Sequence, residues 1–262
     1  MTEETILDQA HAEMESAETN DEARLRFFER LADSELFLLL TEEARDENIS
    51  PELFDVADGR FVLAFDREDR LARFAGRPVP YVALSGRALS TMLSDQGIGL
   101  GLNLDVARSS TLIPPEALAW LTDTLKHGPE EVLQRFKEFL PPKGLPDRLL
   151  QALDIKLASA TGLAVSAYLA GTKTAAGGQG HLLGFVAAIE GAEPALARAV
   201  SEALTFSGVE AGALDVGFFD AESPAAIALA KVGLRFDLPQ PKVTEMERAA
   251  PGRDPERPPI LK

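Results

Sequence analysis

Three histidines are the only imidazoles in the chain: His11, His127 and His181. Acid–base catalysis or metal ligation needs such a group held by a second residue. No two of them stand at metal-ligand spacing, and no His-Glu-x-x-His frame exists. His11 falls in an acidic N-terminal helix, His127 beside an interdomain turn and His181 at a strand start, so each is an ordinary surface or strand-end histidine. Ser85-Gly86-Arg87 places a serine at a strand-to-helix turn. A nucleophile elbow needs Gly-x-Ser-x-Gly, and Ala83 and Arg87 occupy the glycine positions, so the serine is read as a helix cap. Gly97-Ile98-Gly99-Leu100-Gly101 has the rhythm of a nucleotide fingerprint. Its glycines follow a helix instead of opening one, and pyrophosphate recognition needs the helix N-terminus. Gly171-Thr172-Lys173-Thr174 lacks the upstream glycine of a Walker-type loop and runs into a strand where a helix is required. Glu116, Asp123, Glu130 and Glu131 are spaced as solvated helix faces, not as a catalytic pair. No catalytic residue, metal or cofactor is expected. The candidates for a functional surface are Arg87 and Asn103, polar groups where strands meet loops, a place that often lines α/β clefts.

Both candidates border Pro78–Asn103, the stretch around which the chain is organised. It predicts a strand, a helix opened at Ser85 with its apolar face at Ala88, Leu89, Met92 and Leu93, and a second strand after Gly97. Short joints predict two parallel strands and a right-handed crossover. In the second strand Ile98, Leu100 and Leu102 share one side. The glycines leave the other side bare, so something must approach the backbone there.

Upstream, Thr5–Glu18 predicts an amphipathic helix with Ile6, Leu7, Ala10, Met14 and Ala17 on one side. Asn20 caps a second helix carrying Leu25, Phe28 and Leu31, and a strand follows at Leu36–Leu40. Leu53–Phe65 predicts a hairpin turning at Asp58-Gly59. Asp66 is positioned to cap a short helix that Gly76 ends. Downstream, Pro114-Pro115-Glu116 starts a helix. The prolines and glycines of Lys126–Gly144 mark a linker. Beyond it the order is a helix through Leu149 and Leu157, strands at Leu163–Leu169 and His181–Ile189, a helix from Pro194 to about Phe206, a strand at Ala213–Phe219, a helix capped at Ser223-Pro224 and an edge strand at Val232–Phe236. The fold class is therefore α/β: two compact domains, each a mixed sheet packed with helices. The expected limits are an acidic N-terminal helix or arm at 1–19, domains at 20–125 and 145–237, a linker at 126–144, and a Pro-rich flexible tail at 238–262.

A chain of 262 residues has ample core for this plan. Without cysteine it excludes disulfides, thiolate catalysis and Cys-ligated metal sites. The start, MTEETILDQA, has no basic region or apolar core of a secretion signal, and no apolar run reaches membrane-spanning length, so a cytoplasmic location and no membrane partner are expected. The net charge of -16 is concentrated early: residues 1–55 hold 17 acidic against 4 basic side chains. That excess argues against nucleic acid as a partner, because phosphate binding depends on basic charge. It forms a solvated face or a docking surface for a basic partner.

The stretch DGRFVLAFDREDRLARFAGRPVPYVALSGRALSTMLSDQGIGLGLNLDVARSSTLIPPEALAWL resembles the N-terminal domain of the SseB, or enhanced serine sensitivity, family. Asn103 matches the Asn of that family's Leu-x-Leu-Asn-Pro-like strand end, with Leu104 where proline is usual. AYLAGTKT, GHLLGFVAAIEG and the closing GLRFD are similar to the family's C-terminal domain, without its aromatic ending. Together these cover most of residues 22–237. The resemblance implies a bacterial cytoplasmic protein linked by name to serine tolerance, and it carries no catalytic residue. The expected function is therefore a non-catalytic regulatory protein that binds another protein, connected with serine, amino-acid or sulfur metabolism. Two alternatives stay open: a small-molecule sensor for an amino acid or nucleotide, and an enzyme of unrecognised mechanism.

Overall fold

The structure is a computed structural model that describes residues 4–17, 20–44, 49–56, 59–126, 136–174, 179–209 and 214–241. His127, Asp58 and the tail from 242 onward lie outside the described residues. The first domain runs α1 (Ile6–Ser16), α2 (Asp21–Asp33), β1 (Glu35–Leu39), β2 (Leu53–Val56), β3 (Gly59–Phe65), α3 (Glu68–Ala75), β4 (Tyr81–Ser85), α4 (Gly86–Ser94), β5 (Gly99–Leu102), β6 (Thr111–Ile113) and α5 (Pro115–Lys126). The second runs β7 (Phe136–Leu140), α6 (Asp147–Ser159), β8 (Ser166–Thr174), β9 (Gln179–Val186), α7 (Glu193–Phe206), β10 (Asp215–Phe219), α8 (Pro224–Val232) and β11 (Leu234–Asp237).

The first sheet has the order β4-β1-β3-β5-β6, with β2 paired to β3. It is mixed: β3 and β5 are parallel, whereas β1 runs antiparallel to both β3 and β4. Strands β4 and β5 therefore point the same way, as the strand–helix–strand spacing predicts, but β1 and β3 lie between them. One face, with Leu36, Leu38, Val62, Ala64, Leu100 and Leu102, is covered by α1, α2, α4 and α5. The other, with Leu39, Leu63 and Phe65, is partly covered by Leu71 and Phe74 of α3. The bare side of β5 is filled from the neighbouring strand. A Cβ on Gly101 would lie 2.6 Å from Leu63, and one on Gly99 would strike Phe61.

The second sheet has the order β10-β9-β8-β11. Strand β8 pairs along one edge with β9; β11 takes Ser166–Leu169 and β7 takes residues from Gly171 to Thr174. Helices α6 and α7 cover one face through Leu149, Leu153, Leu196 and Val200, and Leu229 of α8 packs against the other.

Several limits differ from the sequence expectation. Helix α1 is docked: Leu7 and Ala10 are buried in the first core, whereas Ile6 is 66% exposed. Thr5 starts it with a capping box, its hydroxyl accepting the Asp8 N–H at 3.1 Å and its own N–H reaching Asp8 Oδ2 at 3.0 Å. Phe136–Leu140, inside the expected linker, forms a strand of the second sheet, because a register shift between Phe136 and Glu138 brings Phe136 and Phe139 onto one apolar face. The second domain also reaches past Asp237: Leu238 is buried, and the Gln240 amide donates to the Ala164 and Leu238 carbonyls at 3.0 Å each.

Gly86 is the tightest junction of the first domain. Its N–H donates to the Ser34 carbonyl at 2.8 Å, and a Cβ there would sit on the Leu31 carbonyl. Gly86→Ala is expected to destabilise the protein by about 1–3 kcal/mol, since rigid backbone must move to admit the methyl. Urea denaturation checks this; an unchanged midpoint would show that α2 and α4 are not held at this distance.

Candidate functional site

The two candidate surface residues lie in two separate polar networks. Asn103 follows β5 in a left-handed conformation, φ 50°, and is fully buried. Its Oδ1 accepts the Asp66 N–H at 3.0 Å and its Nδ2 donates to Ser109 Oγ at 2.9 Å. Both ends of the amide are therefore engaged inside the domain, and Asn103 offers no polar atom to a surface. The Ser109 hydroxyl in turn donates to Asp8 Oδ1 at 2.5 Å. Arg70, 2% exposed, donates to both oxygens of Asp8 and, at 2.8 and 3.1 Å, to Asp66. Asp66 is expected from sequence to cap α3. It is drawn instead to Arg70 and to the Thr5 hydroxyl at 2.7 Å, and Arg67 takes the cap position without a side-chain bond. Burial pushes the Asp8 carboxyl up, but Arg70, Ser109 and the Thr5 N–H outweigh it and hold Asp8 well below the ordinary carboxylate range. This knot ties α1, α3 and the β5–β6 connection together.

Arg87 belongs to the other network, between the domains. It sits in the first turn of α4, where Ser85 caps the helix by accepting the Ala88 N–H at 3.2 Å. Its guanidinium donates to both oxygens of Glu202 on α7, at 2.6 and 3.0 Å, and to Asp33 at the end of α2, at 3.1 Å. Lys156 of α6, 5% exposed, donates to Asp33 at 2.5 Å and to Glu202 at 3.1 Å. Glu29 Oε1 lies 3.7 Å from the same ammonium, too far for a hydrogen bond. Beside the cluster, Phe206 of α7 is buried in the apolar core of the first domain, and Arg148 of α6 pairs with Glu22 of α2. Charge and apolar surface thus meet at one junction.

The electrostatics of the junction are divided. Burial tends to raise the Glu202 pKa, yet Arg87 and Lys156 together hold it below the ordinary carboxylate range. Glu29 behaves oppositely: burial pushes it up, and the fields of Lys156 and Arg30 only partly oppose the rise. Glu202 therefore favours the folded state above the unfolded carboxylate pKa of about 4, and that contribution is lost as pH falls through its lowered folded value. Glu29 disfavours the folded state as pH rises from the unfolded value toward its raised one. In chemical terms the cluster is an electrostatic clamp whose cations are committed to carboxylates. Among the described residues no group of three metal-ligating side chains comes together, and no helix is long and apolar enough to cross a membrane.

Lys156, Glu29, Asp33, Glu202 and Phe206 are absent from the sequence expectation. One signal for Lys156 is present: it falls seven residues after Leu149 and three after Leu153, on the apolar stripe of α6. A lysine on such a stripe needs a buried counter-charge.

Lys156→Met leaves Asp33 and Glu202 with Arg87 alone and Glu29 with only the field of Arg30, so a loss of about 3–5 kcal/mol is expected in urea denaturation near neutral pH. The loss should shrink as pH falls toward 4, where the stranded carboxylates take up protons. A loss independent of pH would refute the electrostatic account.

Residues 7–120 match the family model described as the SseB protein N-terminal domain. The likeness read from the sequence is thereby shown over the first domain. No curated protein and no solved structure matches the chain.

Proposed function

With residues 7–120 standing as an SseB-type N-terminal domain, we propose that the protein is a non-catalytic regulatory protein that works by binding another protein. The observation that supports this reading is the open side of the first sheet beside β4. Strand β4 ends the sheet, so among the described residues its outer backbone edge has no strand partner. Tyr81 on it is 38% exposed and packs edge-on against Phe37, ring centroids 5.7 Å apart, with its hydroxyl donating to Glu68 at 2.8 Å. Phe37, Phe54, Phe74 and Val79 are only partly buried on that face. An unpaired strand edge is a template for an incoming chain. Aromatic side chains with a wet polar tip are what protein interfaces enrich.

Two carboxylates stand on this face: Glu35 is exposed on β1 and Glu68 accepts a hydrogen bond from the Tyr81 hydroxyl. They favour a partner segment with basic charge, in keeping with the excess of carboxylates in residues 1–55. A bacterial, cytoplasmic setting and a role in serine, amino-acid or sulfur metabolism complete the proposal, and the family likeness is their support.

The tagged full-length chain and the variants Tyr81→Ala and Ala83→Lys, each checked for folding by circular dichroism, are used to capture proteins from native bacterial lysate. A partner enriched by the parent chain and reduced about tenfold or more by either variant is the expected result. Equal capture by all three chains, or no enriched protein under several growth conditions, would sink the reading.

A further inference from the structure

Beside the charged clamp lies a cavity of about 250 Å³ between the domains. Helices α1 and α2 form one side and α6 and α7 the other. Its apolar wall includes Ala10, Ala152, Ile155 and Phe206. The charged residues lining it are Glu13, Glu22 and Glu29 against Arg26, Arg30 and Arg148, so the lining is balanced overall. Two of these pairs are closed: Arg26 donates to Glu13 at 2.7 Å, and Arg148 pairs with Glu22.

Glu29 and Arg30 are left over. The Glu29 side chain is almost fully buried, and its Oε1 receives no hydrogen bond. The nearest ammonium, Lys156 at 3.7 Å, is already committed to Asp33 and Glu202. Burial raises the Glu29 pKa, which is the mark of a carboxyl held in place without adequate solvation. Arg30 is half-buried and makes no ion pair among the described residues. A buried acceptor without a donor is costly, and a ligand supplying one removes the cost.

We propose that this cavity binds a small zwitterion: its ammonium is met by Glu29, its carboxylate by Arg30, and a short apolar body lies against Ile155 and Phe206. An acid whose Oε1 accepts no hydrogen bond and a base without an ion pair among the described residues select a ligand with both charges, and the balanced lining selects one with no net charge. The cavity admits a molecule of about eight non-hydrogen atoms, taking ~30 Å³ for each. Because the walls come from both domains, an occupied cavity bridges them and opposes their separation. This site is independent of the β4 face, so either can fail without the other.

Isothermal titration and thermal-shift measurements on the full chain use three probes: L-norvaline, n-butylamine with the ammonium alone, and butyrate with the carboxylate alone. Saturable binding of norvaline with a raised melting temperature is expected, with each single-charge probe weaker by about tenfold or more. Glu29→Gln and Arg30→Gln should each weaken norvaline binding by a similar factor. Ile155→Trp, at the exposed rim, should block it while leaving both charges in place. Should Glu29→Gln misfold by circular dichroism, Arg30→Gln and Ile155→Trp decide. Absence of saturable binding by norvaline or any standard amino acid up to about 10 mM overturns the proposal. So does binding that the folded variants leave unchanged, or butylamine or butyrate binding as tightly as norvaline.

Discussion

An ammonium group almost sealed from water, Lys156, stands between two domains and is answered by carboxylates from both. Glu29 and Asp33 come from α2, and Glu202 comes from α7. Taking such charges out of water is costly, and the arrangement holds only because each hydrogen-bonded partner is set within about the usual contact distance. Arg87 closes the cluster from α4. Phe206 supplies the nearby apolar contact by entering the first core. The relative placement of the two sheets rests on this junction. Its energetics are of the kind in which removing one member harms more than the whole assembly helps.

A second network, around Arg70, solves the same problem inside one domain. There a buried guanidinium is held by Asp8 and Asp66, and Ser109 and Asn103 link those two carboxylate residues to each other. It converts a short N-terminal helix, which would fray in isolation, into part of the domain. Both networks turn reactive-looking side chains inward and set them against each other. What faces outward is of another kind: the aromatic margin of the first sheet at Tyr81, and a cavity where Glu29 Oε1 accepts no hydrogen bond and Arg30 has no ion pair among the described residues.

Local signals in the chain are well matched by local structure. Asn20, Ser85 and Ser223 each cap the helix they precede, their side-chain oxygens accepting backbone N–H groups at 3.0–3.2 Å. Strands β2 and β3 form the expected hairpin, with Val56 opposite Gly59. Trp120, which the helical spacing separates from Leu118, is 42% exposed and packs its edge on Phe28. Where the fold departs from these local signals, one cause recurs. Asp66 has the right position for a cap, but the charge of Arg70 is a stronger partner than a backbone N–H. Residues 136–140 stand between Pro129 and Pro141-Pro142 in the sequence, but the free edge of β8 recruits them. Long-range partners override a local preference worth about 1 kcal/mol.

The amino-acid order by itself determined the α/β class, the succession of strands and helices apart from β7, and the likeness to one family over the first domain, because these depend on side-chain period and on caps a few residues away. It also drew attention to Arg87 and Asn103 as polar groups at strand ends. Only the tertiary structure decided their circumstances. Asn103 is enclosed by Asp66 and Ser109, while Arg87 reaches a glutamate 115 positions along the chain. Charge pairing acts through space, and no spacing within the sequence records which helix will arrive opposite which.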